Sequence, residues 1–177
     1  MSFPKGLREL LNRLAALDTS LSTCLTLTGE AGWQRTVAVL GAHMGDAPLW
    51  FVIAVIAFGL GDKETRHFVL LTAVAVIVAG GLTTFLKFRT RRSRPQERSG
   101  LYSTKYDPYS FPSGHATRLA CQATVFSHQF PQWAIVSYAL TLFVALCRVA
   151  LGIHYLSDVL VGLAIGFLAS GVIVSIL

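Results

Sequence analysis

The chain has 177 residues, of which 53% are hydrophobic and only 14% are charged, and its mean hydropathy is +0.57. This composition excludes an ordinary soluble domain and predicts a single membrane-embedded domain over residues 1–177. The net charge of +6 would suit nucleic-acid binding, but six of the fifteen basic residues fall between residues 87 and 98, directly after an apolar stretch. We therefore expect the membrane bilayer, and no nucleic acid, as a partner.

Residues 1–45 have the pattern of an amphipathic helix at a membrane surface. Charged residues at positions 5, 8, 9 and 13 interleave with leucines at positions 7, 10, 11, 14 and 17. This helical spacing gives one apolar and one polar face. The segment from Gly45 to Pro48 then indicates a helix break, and Asp46 is placed to cap the helix that follows.

Five apolar stretches follow in the helical core, residues 46–177. They predict helices over about 46–61, 66–88, 113–130, 133–150 and 155–176, because runs of about 18 or more uncharged residues are typical of transmembrane helices. The third stretch is more polar and carries Arg118, which indicates a helix buried among the others. The predicted fold class is all-α, an integral-membrane bundle of about five to six transmembrane helices with an N-terminal amphipathic helix.

Three polar clusters stand at the ends of these stretches. Their members are Lys87 and Arg94, then Ser113, Gly114 and His115, and then Arg148, His154 and Asp158. Successive membrane spans alternate in direction, so all three clusters are expected on one membrane face. Each residue taken alone is more often structural at a helix end, but ionisable residues gathered at the membrane indicate a functional site.

These side chains suit the binding and cleavage of a phosphate, because Arg and Lys match its charge. Ser113 is placed to cap the third predicted helix, which would leave the N–H groups of Gly114 and His115 for an anion. His154 and Asp158 are one helical turn apart, so the carboxylate can orient the imidazole. Two histidines, one of them supported by an aspartate, provide a nucleophile and a proton donor.

No metal and no cofactor are expected at this site. The clusters contain one carboxylate, whereas a two-metal site needs several. The three cysteines, Cys24, Cys121 and Cys147, form no CxxC pair and therefore indicate neither a zinc site nor a redox dithiol.

The clusters resemble the three motifs of the type 2 phosphatidic acid phosphatase superfamily, which are K-x6-RP, PSGH and SR-x5-H-x3-D. The matching segments are KFRTRRSRP at 87–95, PSGH at 112–115 and CRVALGIHYLSD at 147–158. Every spacing is kept. The one departure is Cys147, which stands where the family has serine and puts in question any hydrogen bond of that hydroxyl.

The resemblance implies a metal-independent, integral-membrane lipid phosphatase with a phosphohistidine intermediate. His154 would attack phosphorus, Asp158 would orient it, and His115 would protonate the leaving oxygen. The phosphate would be held by the remaining cluster residues, Lys87, Arg94, Ser113, Gly114 and Arg148. Residues 109–118 are similar to the branch that acts on polyisoprenoid diphosphates, with phosphatidylglycerol phosphate and phosphatidate as alternative substrates.

Two other functions fit parts of the pattern. A non-catalytic protein that binds anionic lipid would use the same basic residues, but it would need neither histidine. A vanadate-dependent haloperoxidase shares the anion site, but it is a soluble protein, which the apolar stretches disfavour. The sequence leaves the oligomeric state open.

The basic residues also bear on membrane orientation. The positive-inside rule alone would place the site in the cytoplasm. The resemblance implies a site outside the cytoplasm, in a cell membrane of bacterial type, and we expect this second orientation.

Few cations fit around one phosphate. We therefore expect the arginines that lie near Lys87 and Arg94 in the sequence, but are not among the fixed residues of the motif, to face solvent or lipid headgroups. These are Arg89, Arg91, Arg92 and Arg98.

Overall fold

The computed structural model describes residues 5–27, 32–96 and 107–177, and within these ranges the chain is almost entirely helical. Arg98 lies outside them. The helices are α1 (Lys5–Leu25), α2 (Trp33–His43), α3 (Ala47–Leu60), α4 (Lys63–Thr90), α5 (Gly114–Gln129), α6 (Ala134–Ala150) and α7 (Leu156–Ile176). A 3-10 turn, Pro131–Trp133, joins α5 to α6.

The five predicted core helices are confirmed as α3 to α7, each end within three residues of its predicted position. In the part of the chain that the structure describes, three segments are long and apolar enough to cross a membrane: α4, α7, and α6 together with its preceding turn. Helices α2 and α3 reach this length only as a pair that is bent by 48°. The number of five to six spans therefore stays a prediction.

Helix α5 is the centre of the bundle, as its polar composition predicted. It packs against α4, α6 and α7 and buries residues on nearly every side, including Ala116, Ala120 and Val125. Small residues allow the closest of these approaches. A Cβ atom on Gly162 of α7 would lie 2.5 Å from the carbonyl oxygen of Ser113, so this glycine lets the first turns of α5 and α7 touch.

The interfacial region predicted for residues 1–45 is too long. Helix α1 is amphipathic as expected, and its leucines at positions 7, 10, 11, 14 and 17 are exposed. Helix α2 instead packs against α6 and buries Ala38, Gly41 and Ala42. These small residues recur at helical spacing, and a Cβ on Gly41 would lie 2.7 Å from Cys147 Sγ. Residues 33–43 therefore belong to the core.

Candidate active site

The predicted site residues lie together on one face of the bundle, where α4 and α6 end and α5 and α7 begin. Two loop segments cover this face and pair with each other. Ser93 and Tyr109 form an isolated antiparallel bridge, and the Ser110 N–H donates to the carbonyl of Arg92 at 2.8 Å. A cavity of about 360 Å³ opens here, and its wall includes Lys87, Gly114, His115 and His154.

His154 lies in the turn between α6 and α7 and is only 1% exposed. Gly152 has a φ of 66°, a left-handed conformation that glycine adopts without strain, so this residue permits the tight turn between α6 and α7. Nε2 of His154 lies 3.4 Å from the guanidinium of Arg94. Burial, together with the nearby charges of Arg148, Arg94, Lys87 and His115, holds the pKa of His154 well below its ordinary 6.5.

Asp158 supports His154 by a different geometry from the one predicted. His154 precedes α7, so the two residues do not lie one turn apart on a helix. The distance from His154 Nδ1 to Asp158 Oδ2 is 3.6 Å, which is longer than a hydrogen bond. The carboxylate instead accepts the Tyr155 N–H at 2.8 Å and so caps the helix at whose first turn it stands. Asp158 therefore faces His154 as a fixed, fully buried charge.

The expectation that Arg92 faces solvent or lipid headgroups is wrong. Its guanidinium donates to Asp158 Oδ1 at 2.8 Å, to Ser157 Oγ at 2.7 Å and to Asp18 Oδ2 of α1 at 2.6 Å. It also stacks on the ring of Tyr155 at 3.9 Å. The buried Asp158 carboxylate needs a cation more than a lipid headgroup does. Arg89 and Arg91 are exposed as expected.

Lys87 and Arg94 share an acidic partner that sequence reasoning missed. Lys87 Nζ lies 2.6 Å, and Arg94 Nη2 2.8 Å, from the same Oδ2 atom of Asp107. Arg94 also donates to the carbonyls of Asp107 at 2.9 Å and Ile153 at 3.1 Å. One anionic oxygen between two cations marks the point where this site holds negative charge. Asp107 stands five residues before Pro112. This closeness to the second cluster is the one feature of the sequence from which its role could have been predicted.

The remaining phosphate-binding candidates are Ser113 and Gly114 at the start of α5 and Arg148 in the last turn of α6. Ser113 occupies the N-cap position, but its side chain makes no cap hydrogen bond, which corrects the predicted cap. Its backbone N–H donates instead to the carbonyl of Asp158 at 2.9 Å. Gly114 is the first residue of α5, where helix N–H groups have no intrahelical acceptor. Arg148 ends α6 and is 2% exposed.

Cys147 faces away from these residues. It packs in an apolar cluster with Ala38 and Ala42 of α2 and with Leu151 and Ile153. The side chain at this position therefore contacts α2. The change from serine to cysteine affects this apolar cluster and not the phosphate-binding residues.

His115 is hydrogen-bonded to Asp46, which the sequence predicts as the cap of a helix. Asp46 does stand at the N-cap of α3, but its side chain caps nothing. Its Oδ1 lies 2.9 Å from His115 Nε2, and its Oδ2 lies 2.7 Å from His43 Nδ1. A largely buried imidazole needs a hydrogen-bond partner more than a solvated helix end does.

Comparison with known proteins extends the resemblance. Lipid A 1-phosphatase of Rhizobium etli is 33% identical over 98 residues, which are 51% of this chain and 42% of that protein. Decaprenylphosphoryl-5-phosphoribose phosphatase of Mycobacterium tuberculosis is 26% identical over 136 residues, 76% of each protein. The chain thus spans about two fifths of the length of the first of these relatives.

Solved structures agree on the fold. The crystal structure of a transmembrane PAP2 type phosphatidylglycerolphosphate phosphatase from Bacillus subtilis superposes with a TM-score of 0.76 at 23% identity, over 93% of this chain and 86% of that one. Residues 68–177 match the PAP2 superfamily, and this segment holds all three polar clusters. With its apolar helices and membrane-embedded relatives, the protein is an integral membrane protein, and it belongs to the PAP2 superfamily.

Proposed function

We propose that the protein is a lipid phosphatase that hydrolyses the terminal phosphate of a lipid phosphate or diphosphate through a phosphohistidine intermediate. The observation that carries this proposal is the composition of the cavity wall. Part of the wall is polar and cationic, with Lys87, His115 and His154, and part of it is apolar, with Val76, Gly80 and Phe88 of α4. Phe88 is 63% exposed on the outer face of α4. A molecule with a phosphate and a hydrocarbon tail matches both parts of this wall.

The phosphate is held by the cations that now hold Asp107. Lys87 and Arg94 converge on one oxygen, and Arg148 lies behind His154, where its charge lowers the pKa of that histidine. Phosphoryl transfer depends mostly on positioning and on charge stabilisation. The Gly114 N–H at the start of α5 adds a donor of the kind that helix N-termini offer to anions, and the buried Ser113 hydroxyl stands beside it.

His154 attacks phosphorus through Nε2, since Nδ1 faces the Asp158 carboxylate. The low pKa of His154 keeps this nitrogen unprotonated at neutral pH. As the N–P bond forms, the P–O bond of the substrate breaks, and His115 gives a proton to the leaving oxygen. Water then attacks the phosphohistidine, His115 takes up a proton from it, and inorganic phosphate leaves.

The whole chain acts as one unit in this proposal. Asp18 of α1 accepts hydrogen bonds from Arg92 at 2.6 Å and from the backbone of Ser157 at 3.0 Å, and Ser22 accepts one from the Leu156 N–H at 2.8 Å. The N-terminal helix therefore supports the turn that carries His154 and Asp158. Residues 1–45 are a working part of a single domain, residues 1–177.

The substrate class is proposed from the cavity and from the relatives together. Relatives are named as phosphatases of lipid A and of a decaprenyl-linked phosphoribose. We propose a polyprenyl diphosphate, phosphatidylglycerol phosphate or phosphatidate for this chain. Phosphate release by the purified protein against this panel is the test. Activity on none of the three, with a folded and monodisperse sample, would contradict the proposal, and halide oxidation in the presence of vanadate would favour a haloperoxidase instead.

We further propose that the site faces away from the cytoplasm of a bacterial-type cell membrane. Several cations on this face are engaged with carboxylates, including Lys87 and Arg94 with Asp107 and Arg92 with Asp158. Such cations report orientation poorly. A membrane-impermeant maleimide should label Arg89→Cys in intact cells and Gln132→Cys only after permeabilisation, in a Cys24→Ser background. The reverse pattern would place the site in the cytoplasm.

We expect catalysis to survive chelation and to be blocked by vanadate. The charge of the transferred group is met here by Lys87, Arg94 and Arg148, and vanadate adopts the five-coordinate geometry of the transferred phosphorus. Initial rates should be equal with and without EDTA, and micromolar or millimolar vanadate should compete with the lipid phosphate. Activity that is lost in EDTA and restored by magnesium would overturn this assignment.

Arg92 provides a test of the corrected site. We expect Arg92→Ala to lower kcat in detergent by about tenfold or more, because a hydrogen bond to a charged group contributes about 1.5–3 kcal/mol and Asp158 would lose one. Arg89→Ala is the matched control, since Arg89 is an exposed arginine in the last turn of α4, and its kcat should equal that of the unmodified protein. Equal kcat values for the two variants would show that Arg92 only anchors α1.

A further inference from the structure

Asp46 occupies the break between α2 and α3, and both of its carboxylate oxygens are bonded to histidines. Oδ1 is 2.9 Å from His115 Nε2 and Oδ2 is 2.7 Å from His43 Nδ1. Asp46 is also at the N-cap of α3, where an aspartate side chain ordinarily accepts a helix N–H. No such bond is made. The carboxylate is therefore committed to the two imidazoles.

The backbone fixes this arrangement tightly. A Cβ atom on Gly45 would lie 3.2 Å from His115 Cδ2 and 3.1 Å from Leu119 Cδ1, so the break presses directly on the first turn of α5. The Gly45 carbonyl accepts a hydrogen bond from Arg118 at 2.8 Å, which joins the break to α5 a second time. The contact between Asp46 and His115 is thus held by the packing of Gly45 against α5 and by the hydrogen bond from Arg118 to the Gly45 carbonyl.

A carboxylate on one imidazole nitrogen sets the ring orientation and favours the protonated ring. His115 needs this help because burial, and after it the charges of Arg148 from α6 and Arg118 from α5, disfavour the protonated ring. His154 also lies close enough for its own pKa to respond to His115. The hydrogen bond and the negative charge of Asp46 both favour the imidazolium.

We propose that Asp46 is a positioning residue for the proton donor: it holds His115 by Nε2, so that the proton delivered to the leaving oxygen comes from Nδ1. This inference rests on the proposed phosphatase function. In the first step the Nδ1–H bond of the His115 imidazolium breaks as the substrate P–O bond breaks, and the alcohol leaves with that proton. His43 holds the second oxygen of Asp46 and so fixes the carboxylate in turn.

The test compares two leaving groups. A lipid alkoxide needs a proton to depart, whereas p-nitrophenolate departs without one. We expect Asp46→Asn to lower kcat on a short-chain phosphatidate about 10- to 100-fold, with KM nearly unchanged, and to leave the rate of phosphoenzyme formation from p-nitrophenyl phosphate within about threefold. Asp46→Glu, which keeps the charge, should recover part of the lipid activity. His43→Gln should show the same selective loss at smaller size.

Asp62→Asn is the matched control, because Asp62 also stands at a helix N-cap but does cap its helix, accepting the Thr65 N–H at 2.8 Å. This substitution should lower the stability of the protein, and it should change the rates on the two substrates by the same factor. Equal losses on both substrates for Asp46→Asn and for His43→Gln would overturn the proposal, because a general disturbance of the fold has that signature.

A second readout separates this inference from the proposed function. In detergent micelles, ¹⁵N-labelled histidine rings report which nitrogen carries the proton. We expect His115 to be protonated at Nε2 with a strongly hydrogen-bonded proton, and this signal to be lost in Asp46→Asn. An unchanged ring spectrum would refute the role of Asp46 even in an active enzyme. An inactive protein with the expected spectrum would refute the phosphatase function alone.

Discussion

Replacement of His154 by alanine is expected to abolish turnover, with kcat lowered by about 10⁴-fold or more. The imidazole is buried, faces Asp158 with Nδ1 and lies among Arg94, Arg148 and Lys87. Alanine would leave the phosphate-binding cations in place but nothing to form the covalent bond. The variant should therefore still bind vanadate or a lipid phosphate while it releases no product.

The decisive measurement for His154 is trapping of the intermediate. Brief mixing with a ³²P-labelled lipid phosphate and quenching in base should leave an acid-labile label on the unmodified protein and none on His154→Ala. His128→Ala is the control, since His128 is an exposed histidine at the other end of α5. Normal labelling of the His154 variant would exclude this residue as the nucleophile.

The pH dependence follows from the same surroundings. The pKa of His154 is held well below 6.5 by burial and by its cationic neighbours, so the nucleophile stays unprotonated as the pH falls through 6.5. We therefore expect the rate of phosphoenzyme formation from p-nitrophenyl phosphate, whose leaving group needs no proton, to show no acidic decline near pH 6.5. A decline centred there would mean that His154 titrates as an ordinary histidine.

The His115→Ala variant is expected to lose about 10²–10⁴-fold in kcat on a lipid phosphate. Its proton donor is absent in the first step, and its base is absent in the second. With p-nitrophenyl phosphate the first step needs no donor, so the phosphoenzyme should form at a nearly normal rate and then accumulate, because hydrolysis of the intermediate still lacks the base.

Burst kinetics measure this directly. A burst of p-nitrophenolate equal to the enzyme concentration, followed by a slow steady state, is the expected result for His115→Ala. His67→Ala, at an exposed position in the first turn of α4, should behave like the unmodified protein. A variant that lost both the burst and the steady state equally would contradict the assignment of His115 to proton transfer.

Much of this protein could be predicted from its sequence, because the relevant signals are local. Long uncharged runs bounded by Gly, Pro and charged residues place α3 to α7 within three residues of their observed ends. Alternation of direction then brings Lys87, Ser113 and His154 to one face without any knowledge of packing. The amphipathic α1 and the tight turn at Gly152 follow from spacing and from glycine's tolerance of positive φ in the same way.

The predictions that failed concern which side chains actually meet. Arg92 was expected to face lipid headgroups, but it bridges Asp158 to Asp18, residues that are 140 positions apart in the chain. Helix α2 was assigned to the membrane surface, although its small residues pack on α6. A sequence pattern shows that an arginine or an alanine is present, but its partner depends on which helix lies opposite.

The helices, the common face and the residues that resemble a phosphatase can all be inferred from the sequence, because each depends on periodicity or on fixed spacing along the chain. The carboxylate partners of the site are visible only in the folded protein: Asp107 between Lys87 and Arg94, Asp46 on His115, and Asp18 on Arg92. A buried or half-buried charge requires a partner of opposite sign. Which carboxylate provides it is fixed by the close packing of helices that are distant in sequence, such as the break at Gly45 pressed against α5.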